Sequence, residues 1–105
     1  MFAVIYRFEV KENKKNEFIF AWEELTKLIY EYEGSLGSRL HKINDNCFIA
    51  YAQWPNKETW GNSGNKLPDH ADEVRAKMRE ACLEIETLYE LECINDLLKS
   101  KTKLH

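Results

Sequence analysis

Three residues that tolerate left-handed backbone, Asn44-Asp45-Asn46, separate two runs of strand-forming residues, Leu36 to Ile43 and Cys47 to Trp54. Such a junction makes an antiparallel hairpin, and a hairpin in mid-chain restricts what can flank it. On its N-terminal side, Phe2 to Val10 alternates β-branched and aromatic residues with others, the period-2 pattern of a first strand. Phe18, Trp22, Leu25, Ile29 and Tyr32 then recur at helical spacing. A helix is therefore expected from about Lys14 to Glu33, with Asn13 as its N-cap and Gly34 as its stop. On the C-terminal side, Asn56 caps a short helical turn that carries Trp60. Gly61-Asn62-Ser63-Gly64-Asn65 has no periodicity and reads as a mobile loop. Asp69 can cap a second main helix, whose apolar stripe is Ala71, Val74, Met78, Cys82 and Ile85, and Thr87 to Ile94 follows as the last strand.

The resulting order, β-α-β-β-α-β, predicts a ferredoxin-like α+β fold with an antiparallel four-stranded sheet. Right-handed crossovers place strand four beside strand one and strand three on its other side, with both helices on one face. A chain of 105 residues is long enough for one core and too short for two, so one domain is expected over 1–105. Its core spans about 2–95, and the polar tail from Leu98 to His105 is expected to fray.

The other face of the sheet then lacks a cover. Alternation assigns to it Ala3, Ile5, Arg7 and Glu9, with Arg39, His41, Tyr51, Gln53, Glu90 and Glu92. Arg7 and Glu9 beside a strand carrying Glu90 and Glu92 allow opposite charges to pair within the sheet or across a two-fold axis. A homodimer formed face to face through this sheet is expected. Its interface would comprise Ile5, Arg7, Arg39, His41, Tyr51, Gln53, Glu90 and Glu92.

Several function classes fall away. The net charge is −3 and the longest basic run is the mixed Lys99-Ser100-Lys101-Thr102-Lys103, which argues against a nucleic-acid partner. The apolar stretch from Met1 to Ile5 is cut off by Arg7 and Glu9, so neither a signal peptide nor a membrane span is expected, and the protein is placed in the cytoplasm. Cys47, Cys82 and Cys93 are odd in number and far apart, as reduced core thiols would be. Burial on the second helix would leave Cys82 inert as a nucleophile. His41, His70 and His105 have no metal-like spacing, and no glycine-rich phosphate loop or G-x-S-x-G elbow is present. No metal and no cofactor is implied. His70 alone among the histidines falls just after the loop, where an imidazole could reach a ligand entering between loop and sheet.

The helix-covered face collects Phe2, Val4, Tyr6 and Phe8, then Phe48, Ala50, Ala52 and Trp54, then Tyr89, Leu91 and Cys93. Ala50 and Ala52 at its centre, beneath Trp22 and near Trp60, leave room for a flat apolar ligand lined by Tyr6 and Trp54. The competing arrangement is an interlocked aromatic core in which the two alanines only let a helix approach closely.

The run Phe18 to Trp22, the turn Glu33-Gly34-Ser35-Leu36-Gly37-Ser38 and the block from Tyr51 to Trp60 resemble the antibiotic biosynthesis monooxygenase family. The likeness covers about residues 2 to 95. It implies a dimeric α+β barrel with substrate held between helices and sheet. In the family's cofactor-independent oxygenases, it implies an electron-rich aromatic ring that passes an electron to dioxygen. The strand-end tryptophan is present as Trp54 and the aromatic of the following turn as Trp60. Tyr6 stands where the haem-degrading branch has asparagine, Ala52 where a glutamate is common, and Ser63 where a histidine often falls. These departures weigh against haem degradation and against the isomerase chemistry found elsewhere in the family.

Two functions of different class remain. The first is a cofactor-free monooxygenase of a small quinol or phenolic metabolite. Tyr6 and His70 would be its catalytic residues, and Trp22, Ala50, Ala52, Trp54 and Trp60 would bind the substrate. The second is a non-catalytic dimeric module, for small-molecule binding or stress response, in which the same aromatics are core.

Overall fold

The computed structural model describes residues 1–99, so the last six positions of the expected tail lie outside the described residues. Strand β1 (Phe2–Val10) runs along the middle of the sheet. Its even-numbered side chains enter the interior, and Val4 and Val10 are almost wholly enclosed. Helix α1 (Lys15–Tyr32) buries Phe18, Ala21 and Leu25 on the face that its 3.6-residue period predicts. Asn13 adopts a left-handed φ of 67° in the turn before the helix, so Lys14 and not Asn13 holds the cap position. Gly34 ends the helix at φ 80°, a conformation that glycine adopts without the steric penalty of a Cβ.

Strands β2 (Gly37–Asn44) and β3 (Cys47–Trp54) form the expected hairpin, and the sheet order is β2-β3-β1-β4, antiparallel throughout. The short helix α2 (Lys57–Gly61) starts at Asn56, whose Oδ1 accepts from the Thr59 N–H at 2.7 Å. The second main helix, α3 (Ala71–Glu80), packs against α1 on the same face of the sheet. Its cap position falls to His70, with no side-chain cap bond. The architecture is thus the ferredoxin-like one that the element order predicts, with α2 inserted before the second crossover helix. None of the helices among the described residues is long and apolar enough to cross a membrane.

Two expectations fail at the last strand. The apolar stripe does not continue through Cys82 and Ile85 as helix, because α3 stops at Glu80 and β4 runs from Cys82 to Glu92. Backbone pairing decides it. Lys11 N–H donates to Ala81 O at 2.9 Å and Val10 pairs with Cys82, so the chain enters the sheet directly at the end of the helix. The second failure concerns sides. Ile85 and Thr87 pair with Phe8 and Tyr6 on the helix-covered face, but an irregularity between Ile5 and Tyr6 leaves Leu88 as an extra residue. One extra residue reverses the alternation beyond it. Glu90 and Glu92 therefore pair with Val4 and Phe2 and share their side of the sheet at its exposed edge, while Tyr89 and Leu91 pair with Ile5 and Ala3 on the open face. Glu90 and Glu92 thus leave the sheet face on which the interface was expected, and Tyr89 and Leu91 leave the face that was expected to be covered.

The charge pairing expected of Arg7 involves other glutamates. Its Nη1 lies 3.2 Å from Glu84 and 3.0 Å from Glu86, and its Nη2 lies 3.7 Å from Glu9. These contacts are exposed, so their net contribution to stability is small.

Cys82 is buried at the start of β4, and desolvation pushes its thiol from the ordinary 9.0 up to about 11, against a smaller opposing effect of Lys11. Iodoacetamide at about pH 8 is expected to alkylate the half-buried Cys93 first and to spare Cys82 in the native protein. Peptide mapping after timed labelling checks this, and equal rates at the two sites would contradict the packing described. The folded state also keeps a proton that the unfolded chain loses between about pH 9 and 11, so this thiol's contribution makes stability fall as pH rises through that window.

Candidate functional site

The interior divides into two apolar clusters. One is built on Phe8, Val10, Phe18, Leu25, Phe48 and Met78, the other on Phe2, Val4, Ala52 and Trp54, and Tyr6 and Ile29 pack against both. Between them the sheet offers only the methyl groups of Ala50 and Ala52, paired across the strands with Tyr6 and Val4. The helices cannot descend far enough to fill that space, and a cavity of about 160 Å³ remains. Tyr6 and Phe8 of β1 and Ala50, Ala52 and Trp54 of β3 line it from the sheet. Trp22, Leu25, Thr26 and Ile29 of α1 line it from above, and Ser35, Ser38, Met78 and Ile85 complete the wall.

Among the described residues no charged side chain lines this cavity. Its polar groups are few, and several are already engaged. Ser38 Oγ donates to Tyr51 O at 3.0 Å, and Ser35 Oγ accepts from Gly37 N–H at 3.0 Å. Trp54 is buried, and its Nε1 is the one buried side-chain nitrogen or oxygen among the described residues without a hydrogen-bond partner. An enclosed donor left unpaired costs roughly 1–3 kcal/mol. The Tyr6 hydroxyl accepts a hydrogen bond from Trp60 Nε1 at 2.9 Å, and nothing among the described residues accepts its own proton. Burial raises the Tyr6 phenol above its ordinary 10.0, the nearby Glu90 carboxylate adds to the rise, and the Trp60 bond partly offsets it. The phenol is therefore a neutral donor at physiological pH.

Of the residues singled out from sequence, the cavity brings together Tyr6, Trp22, Ala50, Ala52 and Trp54. Trp60 is not in its wall. It lies beyond Tyr6 with its ring against Phe2, centroids 5.7 Å apart. His70 is exposed at the start of α3 and is not in the wall either. The other eight wall residues were not singled out from sequence, although Leu25, Ile29, Met78 and Ile85 carried a signal as members of the apolar helical stripes. Sequence reasoning also missed Glu33. That carboxylate is buried and accepts from the Gly64 N–H at 2.7 Å and the Lys66 N–H at 3.0 Å, so the glycine-rich loop is tied to the end of α1. No local pattern connects residues so far apart in the chain.

A larger hollow of about 430 Å³ lies on the outside between α1 and α3, edged by Lys14, Glu17, Glu24, Lys77 and Glu80. It contains neither the sheet nor any of the aromatic hydrogen-bonding groups. Among the described residues no group of three or more histidine, cysteine or acidic side chains is placed to hold a metal ion.

The model of the family described as antibiotic biosynthesis monooxygenase matches residues 1–66. No curated protein matches the chain by sequence. Among solved structures, SnoaB, a cofactor-independent oxygenase from Streptomyces nogalater, superposes with a TM-score of 0.75 at 14% identity, covering 93% of this chain and 97% of that one. A conserved protein of unknown function from Bacteroides thetaiotaomicron gives 0.70 at 18% identity, covering 88% and 96%. Rv0793 from Mycobacterium tuberculosis gives 0.71 at 13% identity, covering 92% and 98%. At identities this low the likeness is one of fold.

Proposed function

Because the chain belongs to the antibiotic biosynthesis monooxygenase family, we propose that it is a cofactor-free monooxygenase of a small phenolic or quinol substrate held between helices and sheet. The observation that carries this is the uncharged aromatic cavity over Ala50 and Ala52, with Tyr6 and Trp54 as walls that also bear hydrogen-bond donors. An apolar wall favours a planar organic ring over a sugar or a metal complex. The wall also fixes the ring's orientation, which is the protein's main contribution where the substrate supplies its own electrons. For a phenol with a free para position the reaction balances without a reductant. One atom of dioxygen becomes the para carbonyl of a quinone, and the other leaves as water with the phenolic and para hydrogens. In this reading the Tyr6 O–H, which accepts from Trp60 and keeps its own proton to give, donates to the substrate oxygen.

Oxygen uptake with simple quinols and phenols tests this, and it is expected to survive dialysis and chelation. Tyr6→Phe should lower kcat about 10²-fold, the loss typical of one well-placed donor. Unchanged turnover in that variant would remove Tyr6 from the mechanism. The same assay on His70→Ala decides the part of the imidazole, which stands outside the cavity.

A second copy of the chain completes the molecule in this proposal by covering the open face at Ile5, Arg7, Arg39, His41, Tyr51 and Gln53. The exposed Tyr89 and Leu91 support it, since with Ile5 they extend an apolar patch on that face. Sedimentation equilibrium is expected to give twice the chain mass, and Leu91→Glu should shift it toward the monomer.

A further inference from the structure

Trp60 is one residue removed from the cavity, and its place is tightly specified. Asn56 Oδ1 accepts from both the backbone N–H and the hydroxyl of Thr59, closing the first turn of α2. Beyond Trp60, Ser63 Oγ donates to Trp60 O at 2.6 Å, and the Glu33 carboxylate holds the backbone at Gly64 and Lys66. The result of this framework is the 2.9 Å bond from the indole N–H to the Tyr6 hydroxyl. A hydroxyl has one proton to give and rotates to suit its partners. When one partner is a donor on a fixed ring, the proton must turn away from it. A free phenol can donate to a ligand or accept from it, whereas this one is set to donate.

The size of the cavity adds a second restriction. At about 160 Å³ it is close to the roughly 150 Å³ apolar cavity known to admit benzene, and so it suits one ring better than two.

We propose that Trp60 is a positioning residue that fixes the direction of the Tyr6 proton, making the cavity selective for a single-ring ligand whose oxygen accepts a hydrogen bond. The inference rests on the site proposed above but not on its reaction. Trp60 thus acts through Tyr6, and it is not one face of an aromatic sandwich around the substrate. Discrimination follows because a ligand without an acceptor gives the Tyr6 proton no partner within the cavity.

Acetophenone and α-methylstyrene have nearly the same shape and differ by a carbonyl oxygen against a methylene. Their affinities for the full chain can be compared by NMR titration. The ketone-to-alkene affinity ratio is expected to fall about fivefold in Tyr6→Phe and by a similar factor in Trp60→Phe, which keeps an aromatic ring against Phe2. The double variant should fall no further than Tyr6→Phe alone, because Trp60 acts on the ligand only through the Tyr6 hydroxyl. A merely structural Trp60 would weaken both probes alike and leave the ratio unmoved, which would overturn the proposal. If Trp60→Phe loses its native circular dichroism, the ratio in Tyr6→Phe decides, and an unchanged ratio there overturns it. Failure of both probes to bind at millimolar concentration, or tighter binding of 1-acetonaphthone than of acetophenone, would also overturn it. Dioxygen is not consumed in these titrations, so a retained ratio with no oxygen uptake would sink the oxygenase reaction alone.

Discussion

Phe18→Ala is expected to destabilise the fold by about 3–5 kcal/mol, the usual cost of emptying a fully enclosed phenylalanine site. The Phe18 side chain is wholly buried, and its ring meets Phe8 of β1 at 5.0 Å and Phe48 of β3 at 5.3 Å. It is thus the point at which α1 is fastened to the two central strands. The alanine leaves a hole among rigid neighbours that cannot follow it inward, so both transfer and cavity terms contribute. For a domain of this size the melting temperature should fall by roughly 15–30 °C. Thermal denaturation followed by circular dichroism reads this directly. A fall of only a few degrees would mean that α1 is not anchored on the sheet at Phe18.

The same residue shows what a sequence of this kind reveals. Phe18 belongs to a long helical stripe, and β1 and β3 show clean alternation bounded by turn-forming residues, so their ends were legible to the residue. The junction of α3 and β4 was not. Met78, Cys82 and Ile85 keep helical spacing across it, and no glycine or proline marks the break. What stops the helix is the ladder with β1, a contact with residues some seventy positions earlier, and tertiary pairing overrides local period there. The bulge at Leu88 is equally silent in sequence, yet it exchanges the sides of Tyr89, Glu90, Leu91 and Glu92.

The site was legible in its floor and less so in its roof. Alanines at 50 and 52 among bulky strand neighbours are a local signal of space, and the structure has a cavity there. The place of Trp60 depends on α2 and on how Glu33 ties down the loop that follows. Its distance from Trp54 in sequence suggested two walls of one pocket. The fold leaves Trp60 out of the cavity wall and joins it by a hydrogen bond to Tyr6, which is in the wall.

Ala50→Leu should abolish ligand binding while leaving the fold intact, with at least about 10²-fold loss of affinity for a single-ring probe such as acetophenone. Ala50 is buried between Tyr6 and Leu40 in the sheet, directly beneath the cavity. The larger side chain projects three more carbons into a space of about 160 Å³, leaving too little for a ring. Burying those carbons gains roughly 0.8 kcal/mol each, which offsets much of the 1–3 kcal/mol of strain that enlargement of a packed site costs. Stability should therefore change by less than about 2 kcal/mol, in contrast to Phe18→Ala, where it carries the whole effect. This separation of function from stability discriminates the two functions that the sequence left open. In an oxygenase, oxygen uptake disappears from a protein that still melts normally. In a non-catalytic module whose aromatics are only core, filling the gap improves packing and removes no activity. Uptake that persists at the wild-type rate in Ala50→Leu would place the chemistry somewhere other than over Ala50 and Ala52.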